Sequence, residues 1–512
     1  MTPVSSRAAA VLVAALTGPL AAAGEDRAAI QAAMKQAAAF MTETVAVRGG
    51  HVWAVSEDLE RRWGEVPARP SQVWLQGGTE AVGQVLLDAW QATHDEDYLE
   101  AARKAADAVV YGQTPAGGWH YFIDFEPAGL DQWYADVASR FRYGYEEYRY
   151  YYGNATFDDQ VTPAAAAFLL RFYNLTLDPA YRAPVLEALD FVLEAQYPNG
   201  LWPQRYPLRH DYAHDGLPDY TSYSTLNDGA SQAAAELLLE AFATLGDPRY
   251  FDGARRAAEG LIAIQGPAGQ AAWAEQYGPD LRPVAARTHE PAGYVVRESL
   301  GALELLARFW LMTGDERYLA PMPQAIDWFE RINRASAEER FPIPRYWEPG
   351  SNRPVYVVRV DGRTPEGYGR YAWTTEPGET DCDGNPCRGD GAPAVDVAAV
   401  ERQYEEIAAL ATPEARADYL EGWRLRREAA ARVPRTVESV ADIVAALDAR
   451  GAWVTDDIPV NEPNFATGGD VQRTVTGIST RVFVDRLSAL IATLATGDDT
   501  TTNRTTMDKE EQ

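Results

Sequence analysis

The runs Asp95-Glu-Asp-Tyr98, Asp178-Pro-Ala-Tyr181, Asp247-Pro-Arg-Tyr250 and Asp315-Glu-Arg-Tyr318 place one short motif at tyrosine intervals of 83, 69 and 68 residues. A motif returning at a nearly constant interval means a repeated structural unit, which restricts the fold more than composition can. An apolar periodic stretch precedes each corner and an Ala-rich one follows it: 82–90 with 101–110, 164–172 with 186–195, 233–243 with 254–264, and 300–312 with 322–332. Apolar residues at helical spacing argue for helices, and an Asp at the corner suits an N-cap, so each unit reads as an antiparallel helical hairpin.

The loops after the second helices match as well. Gln113 and Gln196 each precede a Trp (119 and 202) by six residues, and Gln265 precedes Trp273 by eight, so aromatic loops emerge at one end of every hairpin. Hairpins joined in this way predict an all-α, (α/α) toroid with one rim carrying the functional loops. A solenoid is the competing arrangement, but these intervals exceed the roughly 34–47 residues of common helical repeats. Residues 333–390 are Pro- and aromatic-rich, with an alternating stretch at 355–359 that predicts a short strand, and form an irregular, partly β cover. Helical periodicity resumes at 400–410 and 436–449. The expected organisation is a signal peptide (1–23), a catalytic toroid (24–375), a C-terminal helical extension (376–495) and a disordered Thr/Asp-rich tail (496–512).

A charged start, the apolar run 8–17 and small residues up to Gly24 read as a secretory signal, which predicts a secreted or periplasmic protein. A formal charge of −29 opposes long-range encounter with nucleic acid or an anionic membrane, so neither is expected as a partner, and the chain is expected to act as a monomer. Lysine occurs only at 35, 104 and 509, so cationic chemistry between the helices falls to arginine or to a bound metal. Cys382 and Cys387 enclose Asp-Gly-Asn-Pro and favour one local disulfide in an exported protein. His210 and His214 lack the Glu of a His-Glu-x-x-His helix and are not read as a zinc site.

Candidate chemistry collects in the loops. The window Tyr197-Pro-Asn-Gly-Leu-Trp202-Pro-Gln-Arg-Tyr-Pro207 combines rigid aromatics with Pro/Gly backbone, as a sugar-gripping loop does, although a Trp after a turn also serves as a helix cap. In the first reading Trp202 stacks on a sugar ring and Gln204 supplies a directional hydrogen bond. Asp158-Asp159, Asn227-Asp228 and Arg287-Thr-His-Glu290 sit where successive hairpins begin, so two carboxylates and an arginine converge at one mouth.

These runs carry a family resemblance. Ala155-Thr-Phe-Asp158, the window from Glu194 to Pro207, Leu226-Asn-Asp228, Trp273-Ala-Glu-Gln-Tyr277, Ala286-Arg287-Thr-His-Glu290 with Glu298-Ser299, and Pro344-Arg345 through Arg359 resemble the pectate lyases of polysaccharide lyase family ten. Arg48-Gly-Gly-His-Val-Trp53 is similar to members of that group too, so the resemblance spans roughly residues 45–375. It implies Ca2+-dependent β-elimination on polygalacturonate, with Asp158 and Asp228 at the metal, Arg287 as the base, and Arg345 and Arg359 binding substrate. Asn227 is counted with the substrate-binding group. The family's usual Asp-Asn-Gly-Ala-Thr is here Asp158-Asp-Gln-Val-Thr162; Asp159 can add a ligand or cap a helix, and the cap is the reading taken.

The chemistry is consistent with that resemblance. Hard carboxylate oxygens suit Ca2+, which leaves positions for water and sugar. An arginine becomes a base only where neighbouring cations weaken its charged form. Two other readings stay open: a metal-independent glycoside hydrolase using Asp158 and Asp228 as acid and base, and a non-catalytic protein that binds acidic polysaccharide.

Overall fold

The structure, a computed structural model, describes residues 25–140, 153–209, 219–287, 289–339, 343–359, 371–375, 395–431, 438–464 and 469–507. The expected signal peptide, the Cys382/Cys387 pair and the His210/His214 pair lie outside the described residues.

The repeated motif is a helix-to-helix corner. Asp95, Asp178, Asp247 and Asp315 each accept a hydrogen bond from the backbone N–H two residues on, at 2.9–3.1 Å. The tyrosine of each motif is buried. Just before each Asp the preceding helix stops on a left-handed residue: His94, Leu177, Gly246 and Gly314, with φ of 52–72°. A left-handed C-cap followed by an Asp N-cap turns the chain back within two residues.

The helices are α1 (Glu25–Ala39), α2 (Thr79–Thr93), α3 (Glu96–Tyr111), α4 (Leu130–Arg140), α5 (Val161–Thr176), α6 (Arg182–Ala195), α7 (Ala230–Leu245), α8 (Pro248–Ile264), α9 (Val296–Thr313), α10 (Met322–Glu339), α11 (Val397–Ala408), α12 (Pro413–Ala431), α13 (Val440–Ala445) and α14 (Thr480–Met507). Helix α14 takes in most of the tail whose composition suggests disorder. Inner helices follow one another around the ring as α14, α2, α5, α7, α9 and α12, each packed on the next in that order, while α3, α6 and α8 pack outside their own partners. The fold is an (α/α) toroid. One large apolar cluster running from α1 to α14 makes up most of its core, with smaller clusters under the sheets and loops, and no helix among the described residues is long and apolar enough to cross a membrane.

The loops entering the inner helices are pinned alike. The indole N–H groups of Trp119, Trp202, Trp273 and Trp453 donate to the carbonyls of Val109, Val192, Leu261 and Ile443 at 2.7–2.9 Å, tying each loop to the helix it has just left. The backbone N–H groups of Trp119, Trp202 and Trp273 donate to the hydroxyls of Thr162, Ser231 and Ser299, in the first turns of α5, α7 and α9. The stretch 376–495, expected as an extension, supplies a further copy of this unit in α13, Trp453 and α14.

Small sheets occupy the loops. Strands 371–374, 354–359, 346–347, 294–295 and 273–274 form one antiparallel sheet, which contains the predicted 355–359 strand. A second joins the two ends of the chain, in the order Val454–Asn464, Gly469–Ser479, Ala54–Ser56 and Arg62–Trp63.

Candidate active site

Three inner helices begin with the same strained turn. Gln76-Gly77 before α2, Asp159-Gln160 before α5 and Asp228-Gly229 before α7 are all left-handed, with φ of 61° and 84°, 49° and 63°, and 53° and 72°. Left-handed backbone on non-glycine residues costs energy and gathers at functional sites. The last two turns touch: Gln160 Nε2 donates to the Asp228 carbonyl at 3.1 Å, and a Cβ on Gly229 would lie 3.1 Å from that same nitrogen. Asp159 makes no side-chain cap to α5, so the structure corrects the N-cap reading; its carboxylate faces the other acids.

Those acids form a strongly repelling group. Burial, then Asp158 and Asp228, push the Asp159 carboxyl up to about 9. Burial and Asp158 also raise Asp228, against Arg297 and Arg287. Asp158 is 5% exposed; its Oδ2 accepts from the Tyr121 hydroxyl at 2.5 Å, and its Oδ1 is buried with no hydrogen-bond partner among the described residues. Carboxylates that repel, one of them buried with an oxygen unsatisfied, suit a hard cation. Among the described residues no group of three or more His, Cys, Asp or Glu is arranged to hold a metal ion.

Arginines line the other side. Arg297 Nη2 lies 3.3 Å from Asp228 Oδ1, 3.1 Å from Asn227 Oδ1 and 2.6 Å from Glu298 Oε1. Arg345 Nε donates to Glu275 Oε1 at 2.9 Å and its Nη2 reaches Asn227 Oδ1 at 3.4 Å. Burial pushes Glu275 up to about 8 even with Arg345 beside it, and Tyr346 donates to its other oxygen at 2.8 Å. Arg287 grips Glu290 as a fork, Nε to Oε2 at 2.9 Å and Nη2 to Oε1 at 2.5 Å, with its guanidinium 5.7 Å from the Tyr220 ring centre. Burial opposes ionisation of Glu290, but Arg287 outweighs it and holds the carboxyl well below its usual range. A cavity of about 500 Å3 opens here between the starts of α5, α7 and α9, lined by Asp159, Asp228, Arg297 and Glu298.

The structure thus brings together Asp158, Asp228, Asn227, Arg287 and Arg345. Arg359 closes the strand Pro354–Arg359, and its side chain lies outside the described residues. Trp202 requires a correction. It is fully buried and its indole N–H is bonded to Val192, so it anchors its loop and offers no ring face to a sugar. Gln204 is 1% exposed, and both ends of its amide lack a hydrogen-bond partner among the described residues. Such a group is compatible with a ligand contact and needs explaining in any case. Sequence reasoning passed over Tyr121 and Glu275. With Gln204 they stand two residues after the loop tryptophans 119, 202 and 273, a register the repeat itself displays.

Residues 132–340 match the family model described as pectic acid lyase. No curated protein matches the chain. Among solved structures, a family 10 polysaccharide lyase from Cellvibrio cellulosa aligns at 20% identity over 51% of this chain and 74% of that one, with a TM-score of 0.35. A mutant of that lyase in complex with trigalacturonic acid aligns at 21% identity over 50% and 73%, TM-score 0.35. A cellobiose 2-epimerase from Spirochaeta thermophila aligns at 14% identity over 64% and 75%, TM-score 0.40. The rim formed by Asp158, Asp228, Arg287 and Glu290 falls inside the matched segment, so residues 132–340 form a pectic-acid-lyase-like domain, and the chain is accordingly a lyase enzyme.

Proposed function

We propose that the protein is an exported pectate lyase that cleaves polygalacturonate by Ca2+-dependent β-elimination, leaving a 4,5-unsaturated uronide. The observation that carries this reading is the meeting of Asp158, Asp159 and Asp228 with Arg287, Arg297 and Arg345 at one mouth. A cation held at Asp158 and Asp228, with Asp159 beside them, would neutralise a uronate carboxylate and so favour loss of the proton next to it.

The chain's own residues supply the rest. Arg345 and Asn227 are placed to bind a uronate, Arg345 retaining its positive charge where burial favours the neutral form of Glu275. Arg287 is the proposed proton acceptor. The C5–H electron pair becomes the C4=C5 bond, the C4–O bond breaks, and the leaving oxygen takes its proton from water. In the conformation described, Glu290 stabilises the charged form of Arg287, so proton acceptance requires that fork to loosen or further positive charge to arrive.

The test is polygalacturonate with and without a calcium chelator, followed by ultraviolet absorbance. Absorbance that grows and stops on chelation supports the reading. Reducing ends formed without absorbance would indicate a hydrolase, and binding without turnover a non-catalytic protein.

A further inference from the structure

A second cavity, of about 870 Å3, lies on the same rim but outside the matched domain. The start of α2 (Gln76, Gly77), the start of α14 (Arg481), the two-ended sheet (Asp456, Asp457) and Trp53 just ahead of its strand Ala54–Ser56 wall it. Gln76-Gly77 is the counterpart of the Asp159-Gln160 and Asp228-Gly229 turns. Glu65, next to the wall residue Gly64, is close enough to Asp159 to add to the repulsion there. The two cavities therefore lie near one another on this rim.

Its lining is made for a particular ligand chemistry. Trp53 donates its indole N–H to the Gln76 carbonyl at 3.0 Å, which fixes the ring and leaves carbon as what it presents to the cavity. The strand Val454–Asn464 has a register shift between Thr455 and Ile458, and Asp457 there is left-handed at φ 57°; both Asp456 and Asp457 are exposed. Bulges re-aim side chains beside functional sites. Arg486 is bonded through Nε to Glu438 at 2.9 Å, and Arg481 lies 3.8 Å from Asp485. Two arginines thus face four carboxylates, Glu438, Asp456, Asp457 and Asp485, and two negative charges remain over. A free uronate is repelled by that balance. An uncharged pyranose ring is not, since its C–H face packs on an indole and its hydroxyls donate to carboxylates.

We infer that this cavity is a glycan subsite for an uncharged sugar ring, either a methyl-esterified uronate of the same polymer or a neutral sugar, formed where the N-terminal and C-terminal parts of the chain meet. The inference rests on the lyase reading for its place beside the candidate active site.

The experiment measures Kd by calorimetry, with the full chain, for an unesterified oligogalacturonide, its methyl ester and a neutral galacto-oligosaccharide, against Trp53→Ala and the pair Asp456→Asn, Asp457→Asn. The wild type should bind at least one uncharged ligand, at least fivefold more weakly after Trp53→Ala. The exposed Asp pair guards against a misfolded Trp53 variant: replacing both carboxylates should tighten unesterified binding at least fivefold. Ester-only or neutral-only binding identifies the source of the ring. A wild type that binds no uncharged ligand, or values unmoved by both variants, overturn the inference. Absence of unsaturated product from the wild type would instead overturn the lyase reading, and calorimetry would still decide the cavity.

Discussion

Asp159 and Asp228 hold the same place in successive repeats. Each is the left-handed second residue of a short turn, with φ of 49° and 53°, three residues ahead of the hydroxyl (Thr162, Ser231) that bonds the backbone of a loop tryptophan. Asp158 therefore aligns with Asn227, and the pairing of Asp158 with Asp228 crosses the register. If all three carboxylates act on one cation, Asp159→Asn and Asp228→Asn should each weaken Ca2+ binding by about tenfold or more, since ligand charge sets affinity at such sites. Calorimetry with Ca2+ alone checks this. Parental affinity in Asp159→Asn would remove that residue from the site.

The Arg287–Glu290 fork separates two roles for the arginine. Arg287→Lys keeps a charge but loses the planar fork, and kcat should fall by at least ~100-fold. Glu290→Gln removes the carboxylate that favours the charged guanidinium, so the pKa of Arg287 falls. If Arg287 takes the proton, the rising alkaline limb of the rate profile should then move to lower pH. A limb that stays in place would show that Arg287 serves only as a cation.

What could be read from the residues was whatever is settled locally. An Asp followed by a buried Tyr caps the same way in every repeat, so the corners at 95, 178, 247 and 315 were legible. The packing of α14 on α2 joins residues about 400 apart, and nothing local announces it. The C-terminal copy did carry a signal: Gly451-Ala-Trp453 matches Gly200-Leu-Trp202, with left-handed glycines at φ 83° and 89°. Trp202 was misread because an aromatic after a glycine turn looks the same as an anchor or as a platform until the acceptor of its N–H, the Val192 carbonyl, is known.

Burial of Trp202 leads to a stability prediction. Trp202→Ala removes a fully buried indole and its hydrogen bond, which costs about 3–5 kcal/mol in a core. Chemical denaturation should show that loss, while substrate Kd in the fraction that remains folded stays near parental. A weaker Kd in a fold of unchanged stability would restore the stacking role.

Glu80, in the first turn of α2, gives the last prediction. It is 5% exposed; one oxygen accepts from the Gly77 N–H, and the other has no hydrogen-bond partner among the described residues. Burial pushes its carboxyl from an ordinary 4.5 up to about 7 despite backbone hydrogen bonds. The folded chain thus holds this proton more tightly than the unfolded chain does. The resulting stabilisation is complete below about pH 4.5 and is lost as pH rises through about 7. Glu80→Gln mimics the protonated form at every pH, so it should be close to parental at pH 4.5 and more stable above pH 8, by up to about 3 kcal/mol. Thermal unfolding of both proteins across that range, with chelator present, checks the sign. A gap between them that does not widen with pH would mean that Glu80 is ionised in the folded protein at neutral pH.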